Sequence, residues 1–525
     1  MTVYRSPLPD VVIPDITLTS LVLAPASTHP DRLALVDGSD GREFTYAQVN
    51  RITHRMAGGF AVRGVRPGTV VALMAPNCPE YAFVFHAVAL AGGTLTTINP
   101  TYTAEEVRFQ LLDSGASHLV VPGAFLSVAQ DAITGTRVDD LIVIGEVPDG
   151  AAGVTGVTAL AEVDAEPIEQ VSVDPRTHIV VMPYSSGTTG LPKGVMLTHR
   201  NLVANVLQIV EPLVLPDPQD QVALAVLPFF HIYGMQVLMN SLLANGKTIV
   251  TMPRFDLARA LQLIAERSVT RFFVVPPIAL ALAKHPMIDD YDLSSLRYIM
   301  SGAAPLGADI QEAAARRLGC FFSQGYGMTE LSPVSHVSDP RGSTAGSSGR
   351  PIPNTEARLV DPATLSDVVA GEVGELWVRG PQVMVGYLNN PQATADMITS
   401  DGWLRTGDLA VVDDSGSLTV VDRLKELIKV NAFQVAPAEL EALLLTHPDI
   451  VDAAVIGIPD SESGEVPKAY VVVRPGQSLT AEQVQDFVRQ HVATYKQVRV
   501  VEFVESVPKS ASGKILRRML RDASR

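Results

Sequence analysis

Tyr184-Ser185-Ser186-Gly187-Thr188-Thr189-Gly190-Leu191-Pro192-Lys193-Gly194 sets out, in order, the groups that a polyphosphate needs. Glycines permit tight, positive-φ turns that aim backbone N–H groups into one concavity. Ser185, Ser186, Thr188 and Thr189 add hydroxyl donors, and Lys193 adds a compact charge. The run is not a Walker A loop, because Gly194 rather than Ser or Thr follows the lysine and the glycines stand closer together. Alone, it reads equally as a Gly/Ser/Thr surface loop, so the rest of the chain decides.

A chain of 525 residues exceeds what one core usually supports, so two or more domains are expected. Apolar residues make up 47% of it, enough for sizeable cores. A net charge of −16 argues against nucleic acid as the main partner, so any site for a phosphorylated ligand must be locally positive. Cys78 and Cys320 are too few for a disulfide framework or a zinc site, which fits a reducing, cytoplasmic setting. No signal peptide is read, and no membrane insertion: the apolar stretches at 82–98 and 272–283 are broken by Gly-Gly and Pro-Pro. The final Asp522-Ala523-Ser524-Arg525 carries no peroxisomal or lipidation signal.

Strand-like and helix-like stretches alternate. Val70–Met74 reads as a buried strand and Glu80–Leu90 as a helix. The pattern recurs at Thr248–Val250 with Leu257–Ala265, and at Val274–Val275 with Ile278–Ala283. Such alternation predicts parallel α/β sheets. Arg341–Gly349 is the loosest loop, and Asp413–Gly416 reads as a hairpin turn. A boundary is expected at 423/424. Beyond it Pro437–Leu445 and Ala481–Val492 read as helices and Ala453–Ile458 and Ala469–Val473 as strands, an α+β module of about a hundred residues. The basic run Lys514-Ile515-Leu516-Arg517-Arg518 closes it and reads, on its own, as a solvated helix end.

Three further stretches bear on chemistry. Ser323-Gln324-Gly325-Tyr326-Gly327-Met328-Thr329-Glu330 offers close backbone approach, an aromatic face and a carboxylate. It suits a nucleotide with bound Mg²⁺, and also a strand–turn–helix in which Thr329 or Glu330 only caps. Trp403-Leu404-Arg405-Thr406-Gly407-Asp408, with Asp422-Arg423 beyond it, offers an aspartate for a ribose diol; singly, Asp408 reads as a turn residue. Pro508-Lys509-Ser510-Ala511-Ser512-Gly513-Lys514 places a lysine on a Ser/Gly loop.

Together, and over nearly the whole chain from Phe44-Thr45-Tyr46 to Lys514, these stretches resemble the adenylate-forming superfamily, and within it the 4-coumarate–CoA ligases and related acyl-CoA ligases. The resemblance implies a large N-terminal domain, 1–423, of α/β sheets with a distorted β-barrel, and a small mobile α+β domain, 424–525, hinged near Lys425. It implies attack of a carboxylate on ATP to give acyl-adenylate and pyrophosphate, then transfer to coenzyme A. Carried over by position, Ser185, Ser186, Gly187, Thr188, Thr189, Gly190 and Lys193 would hold the phosphates. Gly302, Ala303, Ala304 and Tyr326 would flank the adenine, while Gln324, Gly325 and Thr329 would contact AMP. Asp408 and Arg423 would take the ribose, Glu330 would hold Mg²⁺, and Lys514 would bridge carboxylate and α-phosphate. In a second pose the Lys425–Gln434 loop would face the site, with Lys429 and Gln434 on the adenylate.

The same resemblance places the acid among His231, Tyr233, Gln236, Val274, Met300, Gly302, Gly325, Gly327, Pro333 and Val334, with His231 gating the path. Met300 stands where phenylpropanoid ligases commonly carry a lysine, so cinnamate-like, other aryl or medium-chain acids are expected rather than strongly polar ones. Arg254 matches a coenzyme A contact. Asn431 and Ala432 depart from a Lys-Gly pair that touches coenzyme A in the family, removing a cation and adding a Cβ. Adenylation is therefore expected intact, while the acceptor stays open between coenzyme A and a carrier-protein thiol. A luciferase-like oxygenase and a nucleotide-binding pseudoenzyme are weaker rivals, the latter opposed by Lys193, Glu330, Asp408, Arg423 and Lys514.

Overall fold

The structure, a computed structural model, describes residues 2–147, 157–185, 192–210, 221–339, 344–431, 433–460, 463–510 and 513–524. It is a mixed α/β protein with a large N-terminal sheet domain and a smaller C-terminal domain. Among the described residues the larger part contains two parallel-centred sheets, of eight and nine strands, and one five-stranded antiparallel sheet.

In the eight-stranded sheet Ile179–Ser185, Thr94–Ile98, Val70–Met74 and His118–Pro122 run parallel. One edge turns antiparallel, where Lys193–Thr198 pairs with Ile179–Ser185 and with Gly386–Tyr387. In the nine-stranded sheet Val222–Ala225, Arg271–Val274, Tyr298–Ser301 and Phe321–Gly327 are parallel neighbours. Helix Pro79–Leu90 shows the logic of the core. Proline opens it, and it is apolar all round, with Tyr81, Phe83, Phe85 and Val88 buried. Such a helix belongs inside rather than on a surface. Helix Ala104–Ser114 starts on a Thr103/Glu106 capping box and stops at Gly115, whose φ of 68° suits a left-handed end.

The antiparallel sheet orders Tyr4–Arg5, Glu356–Val360, Gly374–Arg379, Leu404–Val412 and Leu418–Arg423; this all-β unit occupies the place of the expected barrel. The Asp413 carboxylate accepts the N–H groups of Ser415 and Ser417 and so fixes the last hairpin. Leu418–Arg423 ends this sheet and Ile428–Val430 begins the next, in the small unit. There Ile428, Val435, Leu440, Val455, Val471 and Val484 share one core. The basic run that closes the chain is not wholly solvated. Arg517 is half-buried, donating to the Glu441 carboxylate at 2.7 Å and to the Val455 carbonyl, whereas Arg518 is exposed. No helix among the described residues is long and apolar enough to cross a membrane.

Candidate active site

A pocket opens at the carboxyl ends of the adjacent parallel strands Tyr298–Ser301 and Phe321–Gly327. That is where loops leave a parallel sheet and ligands bind. Met300, Gly302 and Ala303 line it from the first strand, and Gly325 to Thr329 from the second. Pro333 and Val334 form the return wall, and His231, Ile232 and Tyr233 lead into the π-helical turn Tyr233–Asn240. Lys514 closes the wall from the small unit. The open space, mouth included, is about 440 Å³.

Small residues shape this space because larger ones would fill it. A Cβ on Gly327 would lie 2.1 Å from the Pro333 carbonyl oxygen, a backbone atom with nowhere to move. On Gly302 it would meet the Tyr233 ring at 2.9 Å, and on Gly325 the Met300 methyl at 2.4 Å. Gly327→Ala is therefore expected to displace the Pro333 wall, costing about 1–3 kcal/mol by overpacking, which urea unfolding will read together with loss of acid activation. Ala303 holds a left-handed φ of 71° despite its Cβ. Such strain persists only where the surroundings impose it, and here it lies in the segment expected to flank adenine.

Beside the pocket, one polar cluster centres on Glu330, which follows the lining residue Thr329 in the single turn Thr329–Leu331. Its Oε1 accepts from Ser185 Oγ at 2.9 Å and from the Tyr387 hydroxyl at 2.7 Å. Glu330 thus ties the polyphosphate-type run to the nucleotide-type stretch rather than capping a helix. The Lys193 ammonium stands 4.9 Å over the Tyr387 ring, and Lys193 faces Ser185 across the sheet. Tyr387 was not legible as a site residue. Its signal was only a Gly-aromatic pair, and its role depends on pairing with a strand nearly two hundred positions away. Tyr184, just before the run, donates to Asp113 at 2.6 Å.

The second polar cluster is a cross-strand pair that meets the pocket through the lining residue Tyr326. Asp408 and Arg423 stand opposite each other in antiparallel register, with Arg423 Nε 3.3 Å from Asp408 Oδ1. Asp408 Oδ2 accepts from the Tyr326 hydroxyl at 2.7 Å, so Asp408 is a strand residue, not a turn residue. Burial beside this carboxylate pushes the Tyr326 phenol well up and keeps it a donor. Lys514 is pushed down to about 8, chiefly by burial and then by Arg423, against the pull of Asp408 and Glu330. His231, whose Nδ1 accepts from the Tyr233 N–H at 3.3 Å, is held neutral with a value of about 3, by burial and by Lys514. The charges around Lys514 are thus those of the two polar clusters.

Several expected residues lie elsewhere. Ser186, Gly187, Thr188, Thr189, Gly190 and Ala432 fall outside the described residues. The Gln324 side chain is engaged by Leu306 on both its atoms and by Gln311, so only its neighbour Gly325 faces the pocket. Gln236 is spent on the Leu202 carbonyl and on Asn240. Val274 is buried in its strand, accepting the Gly302 N–H, and neither it nor Ala304 is on the wall. Arg254, Lys425, Lys429, Asn431 and Gln434 are exposed and off the pocket. Lys429 and Gln434 pair in the hairpin Ile428–Val430 and Phe433–Val435, at whose tip Asn431 takes φ 48°. The left-handed position described in that turn is 431, which asparagine tolerates. Ile232 and Met328, not anticipated, also line the pocket.

A strand-end pocket entered by a lysine from a second unit, with a carboxylate and an Asp–Arg pair acting on that lysine from beside the pocket, defines an adenylate-forming class of enzyme. The model of the AMP-binding enzyme family matches residues 23–388, and that of the AMP-binding enzyme C-terminal domain matches 439–514; the chain belongs to this family. It is 42% identical over 528 residues to 4-coumarate–CoA ligase 1 of Solanum tuberosum, covering 99% of this chain and 96% of that one. The fold is similar to the anthranilate CoA ligase AuaEII in complex with anthranoyl-AMP, with a TM-score of 0.90, 28% identity and 98% of each chain covered. It is also similar to ATP-bound MatB from Rhodopseudomonas palustris, with a TM-score of 0.86, 28% identity, and 97% and 99% covered.

Proposed function

We propose that the chain joins a carboxylic acid to coenzyme A through an acyl-adenylate, with a cinnamate-like, other aryl or medium-chain acid as substrate. The observation that carries this reading is Lys514 of the small unit standing in the pocket with Glu330 and the Asp408–Arg423 pair around it. The pocket walls supply the acid's surroundings: Met300, Ile232, Tyr233 and Val334 are apolar, and no carboxylate among the described residues lines them.

In the first step an acid oxygen attacks the α-phosphorus of ATP, the bond to the β-phosphate breaks, and pyrophosphate leaves with the electron pair. Anion meets anion here, so fixed positive charge where the negative charge grows lowers the barrier most. Lys514 is the group for that task, with Lys193 and the Ser185 hydroxyl toward the leaving phosphates. Asp408 and Arg423 would take the ribose hydroxyls, and Tyr326 with Gly302-Ala303 the base. Among the described residues the Glu330 carboxylate accepts hydrogen bonds on Oε1, from Ser185 and Tyr387, and Oε2 would be the oxygen offered to Mg²⁺, which prefers one or two carboxylates plus phosphate oxygens. Bound there, Mg²⁺ would neutralise phosphate charge. In the second step a thiolate attacks the acyl carbon and AMP leaves. We assign that step to a pose reached by turning residues 424–525 about Lys425, bringing Lys429 and Gln434 to the site, with Arg254 toward coenzyme A.

Asn431 favours a second reading, in which the acceptor is a carrier-protein thiol, because it lacks the cation that the family offers coenzyme A. One experiment tests both. Cinnamate, coumarate, benzoate and octanoate are offered with MgATP, and pyrophosphate and thioester are scored separately, with coenzyme A and with a phosphopantetheinyl protein. Pyrophosphate with an aryl or medium-chain acid, and thioester with coenzyme A, are expected. Silence with all four acids would reject the acid assignment, and thioester on the protein thiol alone would reject coenzyme A.

A further inference from the structure

Helix Pro437–Thr446 of the small unit has no side-chain cap of its own at its N-terminus and no basic residue in its last turn. Both ends are nonetheless completed, and by groups from outside the unit's core. At the start, the Asp422 carboxylate, on the last strand of the antiparallel sheet, accepts the Ala438 N–H at 2.9 Å. At the end, the Lys284 ammonium donates to the Leu445 carbonyl at 2.9 Å. Lys284 belongs to the large unit, where it is the last residue of helix Pro276–Lys284. A carbonyl in the last turn has no partner within its helix, and a cation there also complements the helix dipole. Arg474 donates to the next carbonyl but two, that of Pro448, so two cations converge on this helix exit.

The same large-unit helix meets the Lys514 loop at its other end. A Cβ on Gly513 would lie 3.1 Å from the Val275 side chain and 3.6 Å from Pro277. Helix Pro276–Lys284 therefore seats the small unit twice, once beside the lysine that enters the pocket and once through Lys284.

We propose that Lys284 is a positioning residue that latches the small unit in the acid-activating pose, by closing the C-terminal end of helix Pro437–Thr446 from across the boundary. This rests on the functional reading above. It requires that losing the latch weakens the step that uses Lys514 and spares the step that needs the unit turned away.

The test compares Lys284→Ala, Lys284→Arg and the unaltered full chain. Lys284→Ala is expected to lower acid-dependent pyrophosphate–ATP exchange about three- to tenfold, the scale on which one partly exposed charged hydrogen bond shifts a two-state balance. Thioester formation from preformed acyl-adenylate should be unchanged or faster, and Lys284→Arg should restore exchange. Tryptic cleavage after Lys425 reads docking with no reaction at all, and should quicken in Lys284→Ala only. Equal loss in both half-reactions, or unaltered exchange and cleavage, would overturn the latch. Absence of exchange in the unaltered chain with every acid would instead strike the acid-activating reading, while cleavage rates still judged the latch.

Discussion

Lys514→Ala lowers acyl-adenylate formation by about 10²–10³, the usual cost of removing a group aimed at charge developing in a transition state. Thioester formation from preformed adenylate continues at near its original rate, because the proposed pose for that step turns the small unit and takes the lysine away from the site. Pyrophosphate exchange and single-turnover thioester formation, run side by side, check the split; an equal fall in both counts against it. The pH dependence carries the same signature. On the proposed reading the lysine serves as a cation, and burial and Arg423 hold it at about 8. It is charged below that value and neutral above, so kcat/KM for adenylation falls as pH rises through about 8. Lys514→Arg, which stays charged, removes that alkaline limb whatever it costs in geometry.

Glu330→Gln lowers adenylation by a comparable factor, about 10²–10³, and raises the Mg²⁺ concentration needed for half-maximal rate. The substitution keeps an amide oxygen for Ser185 and Tyr387, which both donate to Oε1. The fold therefore persists, and what is lost is the charge available to a cation. Pyrophosphate exchange across a magnesium series, with the thermal midpoint measured in parallel, separates the two effects. A variant that exchanges normally at low magnesium would remove Glu330 from any role with the metal.

The fold was readable where local rules act alone. Val70–Met74 and the helix after it are runs whose length and flanking proline decide them, and the Asp413 hairpin is local turn chemistry. Asp408 and Arg423 were named through the family resemblance, since Asp408 alone reads as a turn residue; that strand register sets them face to face is a fact of the fold that neither residue shows in the sequence. Gln324 and Gln236 look like ligands in a line of text, yet an amide with two kinds of polar atom is easily satisfied by nearby backbone, and both are. Arg517 reads as a solvated charge until it meets the buried Glu441, far back in the chain. Tyr387 and Lys284 were invisible for the opposite reason: each acts only through a partner that tertiary structure delivers.

Because the pocket wall is finished by a side chain from the small unit, the turning proposed for that unit would build the order of events in a turnover into the architecture. Nucleotide and acid would enter before the wall is complete, and the reactive anhydride would then form behind it, out of reach of bulk water. The enzyme's throughput is on this reading a matter of how often one lobe lets go of the other, so an intermediate prone to hydrolysis is protected by the same contact that delays its onward use.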